Sequence, residues 1–311
     1  MQVQTGALTT LIRADNLLLQ ERTDEAIGRY QEFVRAEPSR PQGYQRLGTA
    51  MMQAGHYQDA AAPLRRAIEL DPSSANTYNS LGAALTQAGR LQEALPVLQR
   101  ATELQHDNAM AYSNLAVAYL RSGQPLAAIP SLQRTVALAP DNADAQEALG
   151  STLVQTGQFK AAVTPLQRAI ALKPASANAH YNLSHALAKA GDRVGAIEQL
   201  RVAVRLRPDW PVALATLAGL EATAPDGAIQ MADAEEAIRY ASRAAELTNG
   251  RDAYVLQRLA EAYAAAGRFE EAIRTAQTAE ALASTSAVQL AAQIRAELML
   301  YRAGERPRQV F

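Results

Sequence analysis

Tyr78–Leu104, YNSLGAALTQAGRLQEALPVLQRATEL, decides the reading of the whole chain. Tyr78, Leu81, Gly82 and Leu85 fall at i, i+3, i+4 and i+7, which is one face of a helix. Gly89 stands where a helix closes on a left-handed residue, and a second apolar face follows at Leu91, Ala94, Leu98 and Ala101. The stretch therefore predicts two antiparallel helices joined by a short turn. Outward from it, leucine recurs every 34 residues at Leu47, Leu81, Leu115, Leu149, Leu183 and Leu217. Alanine does the same at Ala60, Ala94, Ala128, Ala162 and Ala196. A fixed period of this length marks stacked helix pairs, each touching only its neighbours.

Composition narrows the function classes. With 30 basic and 31 acidic residues the chain has no sequence-wide basic footprint, so nucleic acid is not an expected partner. There is no cysteine, which excludes disulfides, thiolate chemistry and cysteine-ligated zinc. The first twenty residues lack the basic start and apolar run of a signal peptide. No stretch approaches the ~18 consecutive apolar residues of a membrane span. The expectation is a soluble chain without membrane insertion. The cytoplasm is favoured, and a periplasmic or secreted location would need a removed signal peptide.

Ser74, Asn108, Asn142 and Ser176 recur as N-caps of the first helices. Pro72, Pro140, Pro174 and Pro208 stop second helices. Pro63, Pro96, Pro130 and Pro165 lie a few residues into second helices, near the first turn, whose N–H groups have no partner. Gly48, Gly82 and Gly150 sit inside first helices, where glycine costs about 1 kcal/mol relative to alanine. A close helix contact should offset that cost.

These residues resemble the tetratricopeptide repeat, whose motif runs aromatic, Leu-Gly, aromatic or Leu, Ala, large apolar, Ala, Pro. The best copy is Tyr44, Leu47, Gly48, Met51, Ala60, Leu64, Ala67 and Pro72. The resemblance implies an all-α, right-handed superhelical solenoid, with first helices lining a concave groove. Eight units over residues 1–285 start near 7, 41, 75, 109, 143, 177, 211 and 253. The opening unit is degenerate, with Arg13 in place of its leucine. The seventh carries an insertion at 222–236, after which its second helix resumes at Ala237. A capping helix is expected over 286–303, with Leu290, Ile294, Leu298 and Tyr301 on one face, followed by a mobile tail at 304–311. Leu8, Leu11, Ile12, Leu18 and Leu19 suggest an apolar patch at the N-terminal end, a possible route to a homo-oligomer. The stretch from RPDWP through LTNGRDAY to LAEAYAAAGRFEEA resembles the end of bacterial arrays fused to, or encoded beside, envelope and glycosylation enzymes.

Catalytic patterns are lacking. His56, His106, His180 and His185 show no HExxH spacing, and His180 reads as a core replacement for the aromatic residue of its unit. Acidic residues are spread over helix surfaces, so no carboxylate pair stands out. The chain reads as non-enzymatic, with no cofactor and no metal. Arg66, Arg100, Arg134 and Arg168 form a ladder on second helices, read as a solvated face because Glu69 and Glu103 follow three residues after Arg66 and Arg100.

The functional signal lies at positions two, five, six, nine, twelve and thirteen of the first helices, which the repeat geometry turns to the groove. The second unit offers Gln42, Gln45, Arg46 and Thr49, and the third Asn76, Asn79 and Ser80. Ser113, Asn114 and Arg121 follow in the fourth unit and Glu147 in the fifth. The sixth supplies Asn178, Tyr181, Asn182 and His185. Amide side chains carry donor and acceptor together, so a ladder of them suits the backbone of an extended peptide. The family's carboxylate clamp for chaperone C-termini is not matched, since its places hold Gln45, Thr49, Ser80, Met110 and Asn114. Asn114 and Asn182 resemble the asparagine ladder of O-linked N-acetylglucosamine transferase repeats, which Ser80, Ala148 and Thr216 interrupt. The expected function is a protein–protein interaction scaffold holding a partner's extended segment. The alternatives are the recruiting part of an enzyme complex in glycosyl transfer or envelope assembly, and a self-associating scaffold.

Overall fold

The computed structural model describes residues 2–223, 231–283 and 287–306, with backbone only at 2–8, 231 and 232. Every regular element among them is a helix, and the chain divides into two compact parts, Met1–Thr156 and Gly157–Phe311.

The first part holds α1 (Gln2–Leu19), α2 (Thr23–Ala36), α3 (Pro41–Gln53), α4 (Tyr57–Leu70) and α5 (Ala75–Gln87). It continues with α6 (Leu91–Leu104), α7 (Ala109–Arg121), α8 (Pro125–Leu138) and α9 (Ala143–Gln155). Each helix packs on the next in sequence, and first helices also touch one another, α3 on α5 and α5 on α7. The core is one large side chain set against small ones: Leu64, Leu85 and Leu98 are fully buried among Ala60, Ala84, Ala94 and Ala118. Such a leucine contributes about 1.5–3 kcal/mol by leaving water.

The residues that start and stop the helices recur with the period. Ser74, Asn108 and Asn142 accept from the backbone N–H of Thr77, Ala111 and Ala145, which would otherwise lack a partner. Replacing Asn108 with alanine should cost about 1 kcal/mol, read as a lower midpoint in urea unfolding with an unchanged slope. Between α5 and α6, Gly89 takes φ of 76°. Arg90 N–H there bonds to Leu85 O at 2.9 Å and Gly89 N–H to Thr86 O at 3.2 Å, closing the helix through paired backbone bonds. The second helices α4 and α6 begin at once after such turns, without a side-chain cap.

Two expectations need correction here. Pro63 and Pro96 stand seventh in α4 and sixth in α6, a full turn beyond the first-turn donors, so each forfeits an intrahelical bond. In α1, Leu11 is 8% exposed and joins Ala14, Ala26, Tyr30 and Phe33 in a core against which Leu18 packs. The apolar patch expected at this end reduces to Ile12 and Leu19, at 52% and 83% exposure, while the side chain of Leu8 lies outside the described residues. Arg13 is exposed.

The second part holds α10 (Phe159–Leu172), α11 (Ala177–Ala190), α12 (Arg193–Leu206) and α13 (Pro211–Ala222). Then come α14 (Met231–Leu247), α15 (Ala253–Ala265), α16 (Phe269–Ala283) and α17 (Val288–Arg302). Its core runs from Leu200, Leu214 and Leu217 to Ala260, Ala276, Ile294 and Leu298. Helix α14 begins six residues before the expected Ala237, since 231–236, MADAEE, is rich in helix formers and places Asp233 in the first turn. The rest of the proposed insertion, 224–230, lies outside the described residues. Helix α17 buries Ile294, Leu298 and Tyr301 as expected, together with Ala291 and Glu297. Of the tail, residues 307–311 are likewise outside the described residues.

Candidate binding face

The first helices of the first part lie side by side, and polar side chains bridge from one to the next. Arg46 on α3 pairs with Asp15 on α1, whose other oxygen accepts from Tyr30 O–H at 2.6 Å. Asn114 on α7 donates from Nδ2 to Asn79 Oδ1 on α5 at 2.9 Å. Arg121, two turns further along α7, donates to Thr86 O on α5 at 3.1 Å. Each bridge joins neighbouring repeats and uses at least one residue singled out from the sequence. Together they link polar side chains of successive first helices into a strip.

The remaining positions divide by exposure. Gln42 and Asn76 are exposed, as are Arg46 and Arg121. Gln45, Thr49, Ser80, Ser113, Asn114 and Glu147 are half-buried, and the Thr49 hydroxyl is used on Gln45 O at 3.0 Å. Asn79 is 7% exposed: it lies beneath Asn114 and orients it, instead of offering its amide to a ligand. Met110 and Val117 stand on the same face of α7 as Asn114 and are exposed at 66% and 36%, giving the strip apolar ground on both sides of the amide.

In the second part the face is aromatic. The Tyr181 ring lies 4.6 Å from that of Trp210, and the Arg207 guanidinium covers Trp210 at 4.3 Å. Arg207 also donates to Asn178 Oδ1 at 3.3 Å. Thr216 on α13 meets the Tyr254 hydroxyl of α15 at 3.1 Å. His185 is exposed with its ring 5.6 Å from Phe159, and Asn182 is half-buried. Burial raises the Tyr181 phenol above its ordinary value, so it keeps its proton.

Sequence reasoning missed Asp15, Trp210 and Tyr254. Asp15 lies in the degenerate unit, and its role shows only when α3 is placed beside it. Trp210 carried a signal, being the one tryptophan of the chain and placed directly before the proline that opens α13. The histidine reading holds: His180 is 6% exposed, with Nδ1 at 2.7 Å from Gln199 Oε1 and Nε2 at 3.1 Å from Pro174 O. In the arginine ladder, Arg66 and Arg100 pair with Glu69 and Glu103 at 2.8 and 3.0 Å, and Arg134 bonds to His106 O at 3.0 Å.

Paired helices of this length, small residues at their contacts and a polar strip along successive first helices define a tetratricopeptide scaffold. Among described families, the one whose description reads "Cilia and flagella-associated protein 70 C-terminal domain", a tetratricopeptide family, matches residues 2–220, and the chain belongs to it. A second tetratricopeptide repeat family matches residues 255–286. Among solved structures, YrrB, described as a TPR protein with an unusual peptide-binding site, aligns with TM-score 0.56 at 24% identity over 60% of this chain and 96% of its own. That likeness is one of fold. MamA aligns with TM-score 0.50 at 25% identity over 54% of this chain and 92% of its own. MamA from Desulfovibrio magneticus RS-1, from residue 41 to its end, gives 0.51 at 25% over 55% and 96%. No curated protein matches the chain. No helix among the described residues is long and apolar enough to cross a membrane.

Proposed function

We propose that the chain holds an extended segment of a partner protein on the faces of its first helices, without chemistry of its own. The supporting observation is the bridged strip of Asp15–Arg46, Asn79–Asn114 and Arg121–Thr86, which links polar side chains of successive first helices. Ordering a long side chain on binding costs about 0.5–1.5 kcal/mol, and a bridge already made on folding meets part of it. Each hydrogen bond to a ligand nets about 0.5–1.5 kcal/mol, and ordering the peptide removes about 2–5. A few such bonds with Met110 or Val117 as apolar anchors place affinity near micromolar.

Panning a library of random unstructured peptides on the full chain, then measuring affinity by calorimetry, tests the reading. The Arg46→Ala, Asn114→Ala double variant should bind enriched peptides about tenfold more weakly or worse, with an unchanged circular dichroism spectrum. Equal affinity in the variant removes the strip from consideration. Failure of the library to enrich any peptide above a matched blank rejects peptide binding itself.

A further inference from the structure

The contact between α15 and α17 buries a cluster of polar and charged side chains. Glu261 is 3% exposed, Glu297 6%, Gln257 0% and Tyr301 1%. Arg258 pairs with Glu261 at 2.7 Å, and its guanidinium also lies 5.0 Å from the Tyr254 ring centre. Glu297 Oε1 accepts from Gln257 Nε2 at 2.7 Å and from Gln293 Nε2 at 3.1 Å. Glu297 Oε2, the Tyr301 hydroxyl and Arg258 Nε have no hydrogen-bond partner among the described residues.

Two buried carboxylates therefore lie near one guanidinium, which pairs with Glu261 alone and is itself 15% exposed. Among the described residues no second cation pairs with either carboxylate. From α13, Gly219 faces the cluster, and a Cβ there would meet Arg258 Cδ at 2.6 Å and Glu261 Oε2 at 3.4 Å. Farther along α13, Glu221 turns to Arg201, which also pairs with Glu236 at 3.6 Å. The Arg295 of α17 is spent on Glu280 of α16 at the exposed flank. Tyr301 remains protonated, pushed up by burial and by the two glutamates. A buried carboxylate that lacks a counter-charge takes up a proton in preference to remaining ionised.

We propose that docking of α17 is proton-linked: the cluster of Glu261, Glu297, Arg258 and Tyr301 keeps a proton that the undocked helix gives up to bulk water. Raising the pH then loosens α17 and uncovers the alanine-rich faces of α15 and α16 beneath it. The direction follows from the two states. Undocked, Glu297 is hydrated and Glu261 loses the cover of α17, so both move down toward the ordinary 4.5; docked, burial pushes Glu261 up to about 7, opposed in part by Arg258, and burial raises Glu297 as well. Between those values the docked form binds more protons. Its advantage is full below 4.5, shrinks as the pH rises, and is smallest above about 7.

Amide hydrogen exchange on the full chain at pH 5.5 and 8.0, corrected for intrinsic rates, reads this directly. The opening equilibrium of α17 should rise about tenfold or more at the higher pH, while that of α5 and α6 stays the same. Glu261→Gln should shrink the difference, leaving only the part that Glu297 contributes. Should that variant fail to fold, Glu297→Gln serves, since its amide oxygen still accepts from Gln257. Glu280→Gln, on the exposed flank, should behave as wild type. Equal corrected protection at the two pH values overturns the proposal, as does a pH dependence in either buried-glutamine variant as large as that of the wild type.

Discussion

Gly82→Leu is expected to lower stability by about 3 kcal/mol, the upper end of what overpacking costs. A Cβ built on Gly82 would stand 2.3 Å from Leu98 Cγ and 2.5 Å from its Cδ2, and Leu98 is wholly buried with nowhere to retreat. The obstruction lies at the branch point of the leucine, so rotating its methyl groups does not relieve it. Leucine has a better helix propensity than glycine by under about 1 kcal/mol, which is too little to compensate. Leu98→Ala alone should also destabilise, by about 2–5 kcal/mol, through the cavity it leaves. Combined with Gly82→Leu, however, the new side chain can occupy that cavity. Urea unfolding of the four proteins should therefore give a double variant much more stable than the sum of the singles predicts. Strict additivity would mean that the two residues do not share the contact.

Glu221→Gln should stabilise the chain at pH 8 by about 3 kcal/mol and leave it nearly unchanged at pH 4. Glu221 is 5% exposed in the last turn of α13, where one oxygen meets Arg201 at 2.9 Å and the other has no partner among the described residues. Burial pushes its carboxyl up to about 7 from the ordinary 4.5, although Arg201 pulls the other way. The folded chain consequently binds the extra proton between these values. Stability from this group is intact below 4.5 and has gone by about pH 7, so a side chain that cannot ionise gains most above neutrality. Denaturant titrations at both pH values decide the matter. A variant weaker than wild type at pH 8 would show that the ion pair with Arg201, itself 45% exposed, outweighs the burial.

The stacking of the chain was legible because its cause is local and repeated. Each leucine at the place of Leu81 needs small residues opposite it, and each Ser or Asn at the place of Asn108 caps a helix three residues on, so the sequence displays both at one interval. The binding face was only partly legible. The spacing marked Asn79 and Asn114 alike as facing outward, yet Asn114 covers Asn79 from 35 residues away. The buried carboxylates were hidden for the same reason. Glu221, Glu261 and Glu297 look like ordinary charges on helix surfaces, and it takes the placement of Arg201, Arg258 and α17 to show what closes over them. Residue type declares what a side chain can do, whereas its dielectric surroundings depend on distant segments.

The recurring caps also bear on how such a chain can change its length. Residues 75–108 open just after one N-cap, Ser74, and close on another, Asn108, with α5 and α6 between them. A copy of that segment spliced in after Asn108 would meet a capped junction on each side, and its small-to-large contacts would match those of its new neighbours. Duplication of a whole period thus preserves every local interaction. The array can grow or shrink as a ruler does, by whole divisions, each adding one more rung to the polar strip.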